Sequence, residues 1–316
     1  MSAAVGANPY LHETVLLREA VDALVTAADG FYLDGTFGRG GHSSAILSRL
    51  QGDGELLSLD RDPEAIAAGV KQFSSDKRIE VVHSEFSNAY SLLDEKNKLG
   101  SVAGMLLDLG VSSPQIDDPK RGFSFLRDGA LDMRMSASGM SAADWVNSAD
   151  LEEIVRVLKG YGEERFARRI GTAIIEQRAE SPILTTKALV ELIDRAVPVK
   201  DPHKHPATRT FQAIRIHVNG ELDELKKMLL DTLKILAPNG RLVVISFHSL
   251  EDRIVKRFMR DNSRPETMPR DIPVTDNQIN KPALRLIGKA VKSTDKEVSV
   301  NPRARSAVMR VAEKVA

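Results

Sequence analysis

A glycine-rich turn and two carboxylates carry the chemistry legible in this chain. The turn is Asp34-Gly-Thr-Phe-Gly-Arg-Gly-Gly-His42, between an apolar run and a helical pattern. Glycines there let the backbone approach a ligand closely and take positive φ. Asp60 ends a second apolar run about twenty residues after the turn, where a carboxylate can accept both hydroxyls of a ribose. The spacing is neither the G-x-G-x-x-G of dinucleotide enzymes nor the G-x-x-x-x-G-K-[ST] of ATPases. S-adenosylmethionine therefore fits better than NAD or ATP. Asp60 has a second reading as the cap of a helix opening at Asp62-Pro63. Phe86, just past a third apolar run, is either an apolar lid on an adenine ring or a core residue.

The second carboxylate, Asp108, lies in Met105-Leu-Leu-Asp108-Leu-Gly-Val-Ser-Ser-Pro-Gln115. An exocyclic amine on a base is a poor nucleophile because its lone pair is delocalised into the ring. Acceptors on the amino hydrogens favour the pyramidal nitrogen, and alignment supplies much of the rest. Asp108 stands where such an acceptor belongs; capping the next turn or binding the cofactor's amino acid moiety are its other readings. Further polar clusters are His203-Lys-His205-Pro-Ala-Thr-Arg-Thr-Phe-Gln212, Ser246-Phe-His-Ser-Leu-Glu-Asp-Arg253 and Asn301-Pro-Arg303-Ala-Arg305-Ser306. His203, His205 and His248 are metal-ligand types, but histidines in a basic loop more often serve as hydrogen-bond donors, and no metal is expected. Arg303 and Arg305 are either phosphate contacts or a solvated strand edge.

Apolar runs on consecutive residues read as buried parallel strands at 31–36, 56–60, 79–83, 105–109 and 242–247. Helical patterns at 15–26, 43–50 and 63–73 alternate with the first of them. This predicts a doubly wound α/β sheet with its ligand crevice at the carboxyl ends of the strands. After Asp108 the alternation stops. Helical patterns at 151–158, 163–178 and 186–197 follow, with a capping box at Ser141 to Asp144, so 115–215 reads as a helical insertion. A helix at 221–236, a turn at Pro238-Asn239-Gly240 and a last strand at 307–311 complete the pattern, with 262–297 expected as a surface excursion.

Composition narrows the classes. The chain has 316 residues, 28% charged and 42% apolar, and no cysteine. That excludes disulfide frameworks, thiolate nucleophiles and Cys-ligated metals. No apolar run approaches the roughly 20 residues of a membrane span, and a cytoplasmic location is expected. Net charge is zero, yet 14 Lys/Arg face six Asp/Glu between Arg253 and Arg310, a local surplus of eight. A basic final quarter suits a phosphate-backbone partner.

Long literal strings now take on a common meaning. His12-Glu-Thr-Val-Leu-Leu17, the 34–42 turn, Asp60-Arg-Asp-Pro63, 107–115, Arg121-Gly-Phe-Ser-Phe125, Leu131-Asp-Met-Arg-Met135, Tyr161-Gly-Glu-Glu-Arg165, 205–212 and 246–253 together resemble the bacterial ribosomal RNA small-subunit methyltransferase H family, also called MraW. The resemblance implies a class I S-adenosylmethionine-dependent methyltransferase with a Rossmann-like doubly wound sheet. Its catalytic domain would comprise 1–114 and 216–316, and a helical insertion domain at 115–215, after the fourth strand, would recognise RNA. It implies methylation of N4 of a cytidine in the decoding region of 16S ribosomal RNA, within a small ribosomal subunit or its precursor. It also implies cofactor contacts from Gly40, Gly41, His42, Asp60, Phe86, Asp108 and Gln115, with Asp108 as the catalytic candidate. Other amino-methyltransferases follow the strand-end acid with Pro-Pro-aromatic; here Leu-Gly-Val-Ser-Ser-Pro114 stands instead. Phe123, Phe125 and Trp145 are therefore candidates by type to hold the cytosine. A methyltransferase acting on DNA or a small-molecule amine is the alternative.

Overall fold

The structure is a computed structural model that describes residues 14–136, 138–199, 201, 205–265 and 281–316. The described residues form two compact units: one of residues up to Asp60, Ala65–Leu109 and Met228–Ala316, the other of Arg61–Glu64 and Gly110–Lys227.

The first unit is built on a sheet. Its strands are β1 (Phe31–Asp34), β2 (Glu55–Asp60), β3 (Ile79–His83), β4 (Val102–Asp108), β5 (Leu236–Ser246), β6 (Leu284–Leu286), β7 (Val291–Lys292) and β8 (Val308–Lys314). The order is β3-β2-β1-β4-β5-β8-β6, with β7 also paired to β8. The first five strands run parallel, and β8 is antiparallel to β5, β6 and β7. Leu33 sits opposite Leu57 and Met105, so the consecutive apolar runs pack as neighbours at the sheet centre. Around them come α1 (Leu17–Leu24), α2 (Gly41–Leu47), α3 (Pro63–Gln72) and α4 (Ala89–Glu95). Leu24, Tyr32, Leu56, Leu106 and Val243 share one buried cluster. Each large apolar side chain there contributes about 1.5–3 kcal/mol by leaving water.

The expected turn at Pro238-Asn239-Gly240 is instead an irregularity inside β5. Pairing with β4 slips between Val102 and Gly104, and Asn239 takes φ 62°. Two short pieces of the expected surface excursion also belong to the sheet, as β6 and β7; residues 266–280 of it lie outside the described residues. Strands of three and two residues are too short to show a period.

The second unit is helical, with α5 (Ser113–Asp117), α6 (Ala142–Ser148), α7 (Leu151–Gly162), α8 (Ala167–Glu180), α9 (Thr186–Ala196) and α10 (Ala207–Asn219). Caps fix several starts. Ser141 and Asp144 form the expected capping box, Asp150 accepts from the Glu153 N–H and Thr185 from that of Ala188. The helix expected from 163 starts later because Glu163, at φ 51°, terminates α7. The core includes Trp145, Leu158, Ile170, Leu189, Phe211 and Ile214. The buried Asn219 amide accepts from the Met135 N–H at 2.7 Å and donates to the carbonyls of Met133, also at 2.7 Å, and Arg215 at 2.8 Å. Met133 itself takes φ 60°, a strained conformation for its type that these bonds hold in place. The insertion read from sequence, 115–215, falls inside this unit.

The chain then continues through α11 (Glu221–Ile235), α12 (Ser249–Asn262) and α13 (Asp295–Val300). No described helix is long and apolar enough to cross a membrane.

Candidate active site

In the first unit, parallel pairing brings the carboxyl ends of β1, β2, β4 and β5 side by side, and with them four acids. Asp34 ends β1 fully buried. It accepts from Ser43 Oγ at 2.7 Å and from the Thr36 N–H at 3.0 Å. Burial pushes its carboxyl up to about 6 against the pull of these donors, and the charge of Asp60 adds to the rise.

The glycine turn follows from Asp34. Gly40 takes φ 73° immediately before α2, and a Cβ on it would meet the Phe37 ring at 2.8 Å. A Cβ on Gly41 would come within 1.9 Å of Thr14 Oγ1. Only glycine fits these positions as they stand. Asp60, at the end of β2, accepts the Gly38 N–H through Oδ2 at 2.7 Å and so clamps the turn. The helix-cap reading passes to Asp62, whose Oδ1 accepts the Glu64 N–H at 3.0 Å. Phe86 opens a short 3-10 turn after β3; it is half-buried, and its Cβ lies 3.1 Å from where a Cβ on Gly35 would be.

Asp108 ends β4. Its N–H donates to Thr36 Oγ1 at 2.6 Å, which ties the strand end to the glycine turn. Oδ2 lies 3.5 Å from Nδ1 of His42. Oδ1 is buried with no hydrogen-bond partner among the described residues. Desolvation, then the charges of Asp34 and Glu251, hold the Asp108 carboxyl well above the usual carboxylate range. His42 offers no countercharge. Burial drives its imidazole down to about 4, with a backbone hydrogen bond to Val15 opposing, so it is neutral near pH 7.

The fourth acid is Glu251, in the first turn of α12 and buried. Its Oε2 accepts the N–H groups of Phe247 at 2.8 Å and His248 at 3.2 Å, and Oε1 lies 3.0 Å from His248 Nε2. His248 thus contacts a carboxylate within its own capping box.

Gly40, Gly41, His42, Asp60, Phe86 and Asp108 all belong to this unit. Gln115 belongs to the other. There it is buried, its Oε1 accepting the Ser112 N–H at 2.9 Å and its Nε2 donating to Asp62 at 2.7 Å. Asp62 also pairs with Arg121 at 2.9 Å. Sequence reasoning assigns no role to Asp34, Thr36 or Glu251. The His248-x-x-Glu251 spacing of a capping box is a usable signal for the last; nothing local marks Thr36, whose partner is 72 residues away.

Among the candidates to hold a base, Trp145 is corrected. It is 2% exposed and its indole N–H donates to Glu153 at 3.1 Å, making it a core residue. Phe123 and Phe125 are half-buried against the same core. Phe125 stacks on His205 at 4.9 Å and meets Phe211 edge-on at 5.6 Å. The polar cluster at 203–212 is therefore largely the start of α10; His203 and Lys204 lie outside the described residues.

A parallel sheet ordered β3-β2-β1-β4-β5, with a glycine turn after β1 and acids at the ends of β1, β2 and β4, defines a class I S-adenosylmethionine-dependent methyltransferase. The chain belongs to the MraW methylase family, which it matches over residues 9–315. Solved structures similar to it include a Clostridium thermocellum protein assigned as an rRNA-methylase, with 12% identity, 96% of this chain and 100% of that one covered, and a TM-score of 0.44. Another is an rRNA methylase from Streptococcus thermophilus, with 8% identity, 95% and 94% covered, and a TM-score of 0.42. A third is the N-methyltransferase NodS from Bradyrhizobium japonicum, with 8% identity, 95% and 93% covered, and a TM-score of 0.40.

Proposed function

We propose that this methyltransferase modifies ribosomal RNA, transferring a methyl group to N4 of a cytidine in the decoding region of 16S ribosomal RNA, within a small subunit or its precursor. The observation that carries this reading is the buried, unpartnered Oδ1 of Asp108 at the end of β4. A buried acceptor without a donor costs about 1–3 kcal/mol. An amino hydrogen of the target base would satisfy it.

The acid cluster also suits the cofactor. Burial and the charges of neighbouring acids raise the Asp34 and Asp108 carboxyls, and a sulfonium with an ammonium group would bring positive charge to relieve that repulsion. Asp60 would hold the ribose, Phe86 would cover the adenine, and Gly40, Gly41 and His42 would let the backbone approach. Gln115 would act at the methionine end, as the family resemblance implies. Bound S-adenosylmethionine supplies an electrophilic methyl carbon. Asp108 accepts one amino hydrogen of N4, which localises the lone pair for attack. Once N4 carries the methyl group it would shed a proton, and a carboxyl raised above its ordinary range is a competent place to hold it. Carbon methylation at C5 normally needs a cysteine nucleophile, and the chain has none.

Nucleoside mass spectrometry of small-subunit particles treated with the enzyme and labelled cofactor decides the matter. N4-methylcytidine is expected. 5-Methylcytidine, or label in DNA instead of RNA, would overturn the reading. Asp108→Asn should lower kcat by about 100- to 1,000-fold while retaining a folded protein.

A further inference from the structure

His42 is buried at the strand ends, and methyl transfer to N4 leaves its side chain without a task. The family resemblance would place it at the cofactor through the backbone of the glycine turn, yet its ring faces Asp108. Nδ1 lies 3.5 Å from Asp108 Oδ2, and the side chain is 4% exposed. Nε2 is buried with no hydrogen-bond partner among the described residues, as is Oδ1 of Asp108. Orphaned polar atoms disfavour folding, and an apolar residue at position 42 would remove one of them. The acids around the pair act on it by charge: Asp34 on β1 and Glu251 on α12 raise the Asp108 carboxyl, and Asp60 on β2 acts on Asp34. The backbone of Val15 is the other polar group at the imidazole. His42, neutral near pH 7, can donate to Asp108 without adding charge.

We propose that His42 is a positioning residue for Asp108: Nδ1 donates to Oδ2 and so leaves Oδ1 as the oxygen presented to the target amine. The proposal rests on the N4 reading and adds what holds the acceptor still. A carboxylate held at one oxygen loses the rotation that would otherwise bring either oxygen to the amine. Which nitrogen of a neutral imidazole carries the proton is set by its neighbours, and a carboxylate facing Nδ1 favours the proton there. Such a donor suits both states of the acid. Before transfer, Oδ2 accepts from Nδ1–H while Oδ1 accepts from the amine. Once N4 carries the methyl group its proton passes to Oδ1, the bonding electron pair stays on nitrogen, and Oδ2 keeps the same donor. A cation in place of His42 would hold the carboxyl ionised and oppose uptake of that proton. The Nδ1 to Oδ2 contact is long for a hydrogen bond, as is common at catalytic groups before the substrate binds.

The test compares His42→Leu with His42→Asn in the full chain. The two replacement side chains share one branched shape, and only the amide can donate near the place of Nδ1. His42→Leu should lower kcat by about 100-fold, the scale of a misplaced reacting group, with KM for small-subunit particles and affinity for S-adenosylmethionine unchanged. His42→Asn should recover most of that loss. The acidic limb of the kcat profile should move to higher pH in His42→Leu, because a donor favouring the ionised carboxyl is gone, and move back in His42→Asn. Nitrogen NMR of the unaltered protein supplies a test that needs no variant. The imidazole of His42, one of seven in the chain and assigned through the backbone, should carry its single proton on Nδ1 near pH 7. Equal losses in the two variants with an unmoved limb, or a proton on Nε2 instead, would overturn the positioning role and leave His42 a packing residue. Unaltered protein that produces no N4-methylcytidine in the particles would sink the N4 reading itself, and this role with it.

Discussion

Asp34 lends itself to a quantitative test because its environment sets both the sign and the size of the effect. The carboxyl is completely buried, and its folded-state pKa lies at about 6 against an ordinary 3.8. Because the folded value is raised, the folded state holds the proton more tightly than the unfolded chain. Below about pH 4 both states are protonated and Asp34 is neutral in the balance. Between about 4 and 6 the unfolded chain ionises first, and stability is lost progressively as pH rises. Above 6 the penalty is constant. At roughly 1.4 kcal/mol for each pH unit between the two values, it amounts to about 3 kcal/mol. Asp34→Asn keeps an acceptor for the Thr36 N–H and a partner for Ser43 Oγ, so most of the local hydrogen bonding survives. The substitution should stabilise the ligand-free first unit by about 2–3 kcal/mol at about pH 7.5 and flatten its pH dependence between about 4 and 6. It should also weaken S-adenosylmethionine binding by removing one of the acids that favour a cation. Urea unfolding followed by far-ultraviolet circular dichroism at pH 5, 6, 7 and 8 measures the first effect, and calorimetry the second. An Asp34→Asn protein that is less stable at pH 7.5 and keeps the wild-type pH dependence would refute the argument, showing that Asp34 is stabilised by its donors more than it is penalised by burial.

Asp60→Ala should weaken S-adenosylmethionine binding by about 10- to 150-fold, or about 1.5–3 kcal/mol, and release the Gly38 N–H, which calorimetry and amide exchange at the turn will register separately. Asn219→Ala strands the Met135 N–H and the Met133 carbonyl in a buried setting, so it should cost the helical unit about 2–4 kcal/mol by denaturant unfolding, with cofactor affinity unaffected. Phe125→Ala should reduce RNA affinity by about 1–3 kcal/mol with no change in salt slope if the ring stacks on an unpaired base; a changed slope would mean that the substitution disturbs charged neighbours instead.

How much of the fold and the site is legible in the residues alone depends on how local each cause is. Parallel strands buried on both faces must be apolar on consecutive residues, so β1 to β4 stand out, and the glycine turn and the acids ending β2 and β4 come with them. The Ser141 cap is legible because its two hydrogen bonds lie within four residues. α10 is hidden because Pro206, Thr208 and Thr210 interrupt the pattern and its polar start reads as a charged cluster; its register appears only once Phe211 and Ile214 are packed in the core. Asp34 reads as the start of a loop because nothing in sequence shows that Ser43 and Ser58 close over it. The basic quarter is visible as a sum, but which cations are spent on Asp252 and Glu313 depends on β8 lying beside β5 and β6, a pairing between distant segments.

The burial of Trp145 has a practical consequence. It is the only tryptophan in the chain, and it belongs wholly to the helical unit. Its intrinsic fluorescence is therefore a reporter installed on one side of a two-part molecule, blind to the sheet that carries the acids. In an unfolding experiment, emission follows the helices while peptide ellipticity follows both units. Two curves that coincide would mean that the halves melt as one cooperative system. Two that separate would give each half its own midpoint, from the unaltered protein and without a label.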